Sequence, residues 1–178
     1  MGMFGEGNGG GVWSLAASQV TGAATQTVSV TGLVGIRFRV EIMTPATGLG
    51  AIEYLYLRLN DVAAGAAYPR SHGYGVATTG VVSGQAHSVT YISFTGTATS
   101  GATGIIRIIA DVMCDPATAV GSARCLYSDT VPGVERQYLL TTRLATASIG
   151  AVGSIQLISS VAAGIPAGTR INVYQSLV

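Results

Sequence analysis

From Trp13 onward, apolar and polar residues alternate in short segments separated by clusters of Gly, Ser, Thr, Asn and Pro. No stretch repeats its apolar residues at helical spacing over three turns, so the pattern predicts strands and turns. Ile36, Phe38, Val40 and Ile42 alternate with Arg37, Arg39 and Glu41, the signature of a half-buried antiparallel strand. Leu55, Leu57 and Leu59 point to the core in the next segment, and Tyr54, Tyr56 and Arg58 point the other way. Further strands are expected at Trp13 to Gln19, Thr25 to Val30, Tyr74 to Thr78, Gln85 to Phe94, Gly104 to Cys114, Ala123 to Ser128, Glu135 to Ala145, Ser154 to Ser159 and Thr169 to Tyr174. Ten to eleven strands with glycine turns between them predict an all-β, antiparallel β-sandwich, jelly-roll-like, with no parallel sheet and no crossover helices.

The segment Gly104 to Cys114 is apolar on both faces. Ile106, Ile108, Ala110 and Val112 lie on one, and Ile105 and Ile109 stand beside Arg107 and Asp111 on the other. A sheet face of that kind calls for cover by another subunit, because left open to water it invites aggregation. Phe4, Tyr54, Tyr56, Arg58, Ile105, Arg107 and Ile109 are therefore the expected assembly contacts.

Composition sharpens this picture. A chain of 178 residues fits one domain with a single core, expected over residues 12–178, and the six glycines of 1–11 make that stretch a flexible arm. Charged residues are only 10% of the chain, against about a quarter in ordinary domains, and the formal net charge is +1. Steering toward nucleic acid or an anionic membrane is therefore not expected. All nine basic residues are Arg, a side chain suited to planar, bidentate pairing at interfaces. No apolar run reaches the length of a membrane span and the start has no signal-peptide pattern, so synthesis in the cytoplasm is expected.

Candidate chemistry is sparse. Two His, two Cys and eight carboxylates lie mostly in turns and at strand ends, and no G-x-S-x-G elbow occurs, so no catalytic residue, cofactor or metal site is expected. His72 falls in the expected loop Ala63 to Gly75, and His87 begins a later strand. Cys114 and Cys125 flank the turn at Asp115, Pro116 and Gly121, either as two half-buried thiols or as a bridge across a hairpin. Asn60, Asp61, Tyr68 and Arg70 form the one polar and aromatic group that could contact a glycan; the alternative is an Asx turn leaving the strand at Leu59 and a packed Tyr.

The segment Leu57-Arg58-Leu59-Asn60-Asp61, the ending Ser154-Ile155-Gln156-Leu157 and Ala167-Gly168-Thr169-Arg170-Ile171-Asn172-Val173-Tyr174, and the openings Trp13-Ser14-Leu15 and Thr25 to Val30 resemble a group of small tailed-phage virion proteins. The resemblance spans most of Trp13 to Tyr174. It implies a jelly-roll structural component, commonly oligomeric, of the head or the tail. The expectation that follows is a capsid decoration or cement protein of the virion, touching copies of itself, as a trimer, and other virion proteins such as the major capsid protein. The alternative is a tail-fibre or tail-tip domain holding a host glycan through Tyr68 and Arg70.

Overall fold

The structure, a computed structural model, describes residues 12–45, 55–64, 67–77, 80–89, 91–93, 105–131 and 134–176; within these, the side chains of 69–89, 93, 129–131 and 134–136 are left aside. Among the described residues, twelve strands and one short helix follow each other in the order β1 (Trp13–Val20), β2 (Thr27–Thr31), β3 (Arg37–Met43), β4 (Leu55–Leu59), β5 (Tyr68–Ala77), β6 (Gly80–Val89), β7 (Ile92–Ser93), β8 (Arg107–Asp115), β9 (Val120–Val131), β10 (Val134–Arg143), α1 (Thr146–Ile149), β11 (Ser154–Ser159) and β12 (Arg170–Ser176). They form two antiparallel sheets, a large one in the order β1-β12-β3-β8-β9-β10-β5-β6 and a small one in the order β2-β11-β4-β7. The chain is an all-β sandwich.

Alternation builds the core. Phe38, Val40 and Ile42 of β3 are buried while Arg37 and Met43 are exposed, and on β4 Leu55, Leu57 and Leu59 are buried with Tyr56 and Arg58 half-buried. On β8 the period holds over nine residues, with Ile108, Ala110, Val112 and Cys114 inward. These residues join Val28, Val30, Ile155 and Leu157 of the small sheet in one cluster. Each fully buried Leu, Ile or Phe contributes about 1.5–3 kcal/mol.

Geometry requires glycine at several positions, two of which shape the large sheet. Gly168 turns the chain into β12 with φ +83°, and a Cβ at Gly121 would lie 2.7 Å from the Leu144 carbonyl oxygen. The hairpin β8–β9 packs against the chain after β10 through that close approach, and the Leu144 amide donates to the Gly121 carbonyl at 3.1 Å.

Two expectations need correction. The segment Ala63 to Gly75 is not a loop throughout: β5 begins at Tyr68 and pairs with both β6 and β10. Its glycines and Pro69 hid the strand, whose register is fixed by non-local partners. The thiols of Cys114 and Cys125 are fully buried, not half-buried. They are both free, because Cys114 stands opposite Gly121 and Cys125 opposite Ala110, four residues apart along the hairpin. The arm 1–11, with Phe4, and Tyr54 lie outside the described residues.

Candidate functional site

Three places on the sandwich hold the polar, aromatic and apolar groups that could meet a ligand or a partner. The first is the corner after β4. Asn60 and Asp61 have φ 53° and 56°, and the Val62 amide donates to the Leu59 carbonyl at 3.0 Å, which makes a tight turn with both central residues left-handed. Asn and Asp tolerate that backbone better than other side-chain-bearing residues. The Asn60 amide is fully used inside the chain. Its Nδ2 donates to the carbonyls of Ile149 at 2.9 Å and Ala151 at 2.7 Å, and its Oδ1 accepts from the amides of Gly153 at 2.8 Å and Ser154 at 3.1 Å. Four bonds exhaust its capacity.

Tyr68 is buried with no exposed surface, and its hydroxyl accepts from the Leu59 amide at 3.0 Å. Burial pushes its pKa above the usual tyrosine value. The expected glycan contact therefore dissolves at this corner: Tyr68 is a core residue, Asn60 is a brace, and only Asp61 is exposed. The backbone of Arg70 belongs to β5, opposite Arg143, and its side chain lies outside the described residues. Asn60 and Tyr68 fit the other sequence reading, a turn leaving Leu59 and a packed ring.

The second place is the outer face of the small sheet. Tyr56 stacks on Tyr91 with ring centroids 4.3 Å apart, and the Arg58 guanidinium lies 5.7 Å from the Tyr56 ring centroid. The expected assembly residues Tyr56 and Arg58 thus cover each other in part. Gln156, register partner of Arg58, keeps its buried Oε1 without a hydrogen-bond partner.

The third is the outer face of the large sheet. The Arg39 guanidinium donates to both carboxylate oxygens of Asp111, at 2.7 and 3.2 Å, and lies 5.3 Å from the Trp13 ring centroid. That pair is the first cause of Arg39 holding its proton more tightly than usual. Next to it, Ile109, Leu126 and Leu139 stand side by side across β8, β9 and β10, all half-buried. Ile105, just before β8, is 49% exposed, and Arg107 is exposed. One row further along the strands, Arg170, Met43 and Arg107 are aligned across β12, β3 and β8. With Glu41, Ile109 and Asn172 they line a recess of about 270 Å³.

The sequence reading missed two features here. Strand β1 is an edge of the large sheet among the described residues, carries no charge, and exposes Trp13, Leu15 and Val20. Its lack of charge is legible in the chain, but its edge position is not. The recess likewise joins strands that are far apart in sequence. Among the described residues no three His, Cys, Asp or Glu side chains converge as a metal site would require, and no helix is long and apolar enough to cross a membrane.

No protein-family model and no curated protein matches the chain. Among solved structures it is similar to the exo-inulinase of Aspergillus awamori, at 15% identity and a TM-score of 0.47, over 91% of this chain and 29% of that one. It is also similar to a bifunctional GH43-CE protein of Bacteroides eggerthii, at 14% identity and a TM-score of 0.37, over 92% of this chain and 22% of that one. The chain thus spans less than a third of either protein's length, and neither likeness carries an argument about its activity.

Proposed function

We propose that the chain is a non-enzymatic structural component of a bacteriophage virion, a jelly-roll decoration or cement protein that stabilises the head through contacts with copies of itself, as a trimer, and with the major capsid protein. The observation that carries the assembly reading is strand β1, among the described residues an eight-residue sheet edge without a single charge, which exposes Trp13 at 39%, Leu15 at 57% and Val20 at 54%. Edges that stay solitary in water are normally guarded by charge, proline or cover. Among the described residues this one is guarded only by the irregularity between Leu15 and Ala17. The half-buried row Ile109, Leu126 and Leu139 adds apolar surface on the same sheet.

The jelly-roll part of the reading is supported by strand order. β1, β12, β3 and β8 are neighbours in one sheet and β2, β11, β4 and β7 in the other, so that the chain alternates between sheets in the manner of two Greek keys. The hairpin β5–β6 and the pair β9–β10 then extend the large sheet. The resemblance in sequence supplies the virion context.

The test has two arms. The purified chain is expected to sediment as a homo-oligomer, and Leu15→Asp, at an exposed position, is expected to disperse it with its unfolding midpoint preserved. Phage heads assembled without the chain are expected to lose heat and osmotic resistance and to regain it when the chain is added back. A monomer at every concentration, together with heads that are equally resistant without it, would overturn the proposal.

A further inference from the structure

We infer that the recess on the outer face of the large sheet is a binding site for an acidic sugar residue, one that carries a carboxylate and ring hydroxyls. Arg170 and Arg107 flank Met43 in one row of register, so their strands lie two inter-strand spacings apart, about 9–10 Å. Both side chains are exposed, and neither has a hydrogen bond or ion pair among the described residues. This separates them from Arg39, which is paired with Asp111 on the same face. In the neighbouring row stand Asn172, Glu41 and Ile109, in register across the same three strands. The recess thus brings two unpaired guanidiniums, one carboxylate, one amide and two apolar side chains around about 270 Å³. That lies just below the roughly 300–1,000 Å³ of clefts for drug-sized ligands, room for one ring and not for a folded chain segment.

Glu41 decides the ligand class. A bare anion such as phosphate would profit from the guanidiniums but would be repelled by the carboxylate in the neighbouring row, on the strand between theirs. A neutral sugar would satisfy Glu41 with hydroxyl donors and leave both guanidiniums unanswered. A ring carrying both groups meets every side chain. Its carboxylate takes the planar, bidentate donors of Arg107 or Arg170, its hydroxyls donate to Glu41 and accept from the Asn172 amide, and its C–H face lies on Met43 and Ile109. The Asn172 Oδ1 already accepts from the Ser18 hydroxyl at 2.8 Å, which turns its Nδ2 into the free end. The inference stands apart from the virion reading, because it needs neither an oligomer nor a capsid.

The experiment titrates the full chain with short oligogalacturonate by calorimetry, with neutral dextran oligosaccharide, short poly-glutamate and inorganic phosphate as comparison probes. Saturable binding is expected for the galacturonate alone. Arg107→Gln and Arg170→Gln are each expected to weaken it roughly ten- to hundredfold, the worth of a charge-assisted hydrogen bond. Arg143→Gln, an exposed arginine elsewhere on the same sheet, is expected to leave it unchanged. Glu41→Gln is expected to weaken galacturonate while strengthening phosphate, an opposition that a merely electrostatic patch cannot produce. Absence of galacturonate binding, binding of poly-glutamate or phosphate equal to it, or equal loss in Arg143→Gln would each overturn the inference.

Discussion

The corner at Asn60 and the row Arg170–Met43–Arg107 are built from similar chemistry and differ in where their polar capacity goes. At the corner, four hydrogen bonds occupy Asn60 and the Leu59 amide occupies the Tyr68 hydroxyl, so the group that looks most like a ligand site in the sequence is a brace between β4 and the connection into β11. On the row, two guanidiniums stand in water with no partner in the described chain. The difference teaches that residue type nominates a site but unused bonding capacity qualifies it. A polar side chain whose donors and acceptors are all taken within the fold has nothing left for a ligand.

If the comparison is right, the corner is a matter of stability and the row is not. The largest effect is expected at Tyr68. Its ring is wholly buried in the sandwich, so Tyr68→Ala should cost about 3–5 kcal/mol of unfolding free energy, read from urea or thermal unfolding. Tyr68→Phe keeps the ring and loses the bond to the Leu59 amide, and should cost about 1 kcal/mol. A Tyr68→Ala protein of unchanged stability would mean that the ring is displaceable and return this corner to the list of binding sites.

A smaller loss is expected at Asn60. Asn60→Ala removes four hydrogen bonds and puts a Cβ-bearing residue without a local acceptor at φ 53°, for about 2–4 kcal/mol in all. Asn60→Gly separates the two causes. It relieves the backbone and still loses the bonds, so it should recover about 1 kcal/mol relative to Asn60→Ala. Equal stability of Gly and Ala at this position would show that the left-handed turn carries no strain.

The fold was largely legible because its strands announce themselves. The alternation of Phe38, Val40 and Ile42 and of Leu55, Leu57 and Leu59 appears in the structure with the faces the pattern assigns. The Ile106 to Val112 face of β8 is buried as expected, and Ile105 and Arg107 are exposed. Strand β5 was read short because Gly73, Gly75 and Pro69 break the local pattern while β6 and β10 supply its register from far along the chain. The site fared worse for the same reason. Tyr68, eight positions after Asn60 in sequence, suggests a surface cluster, and only tertiary packing decides that the ring turns inward. The recess joins Glu41, Arg107 and Arg170, which no local window contains.

Alkali offers the last and mildest way to sharpen the comparison. Burial raises the pKa of Tyr68 at the corner and of Cys125 and Cys114 in the core. For each raised group the folded chain keeps its proton while the unfolded chain releases it, so the unfolded state binds fewer protons and stability falls as pH rises. The contribution is complete below the unfolded values, about 8.5 for Cys and 10 for Tyr. Above them it declines by about 1.4 kcal/mol per pH unit for each proton withheld. Urea unfolding at neutral pH and at successive steps above pH 9 should trace that decline. Cys125→Ala should flatten its first part and Tyr68→Phe its last, while Arg107→Gln and Arg170→Gln leave the whole curve where it was. A curve flat through this range would mean that the buried hydroxyl and thiols reach solvent without unfolding, and the corner would then be as open as the row.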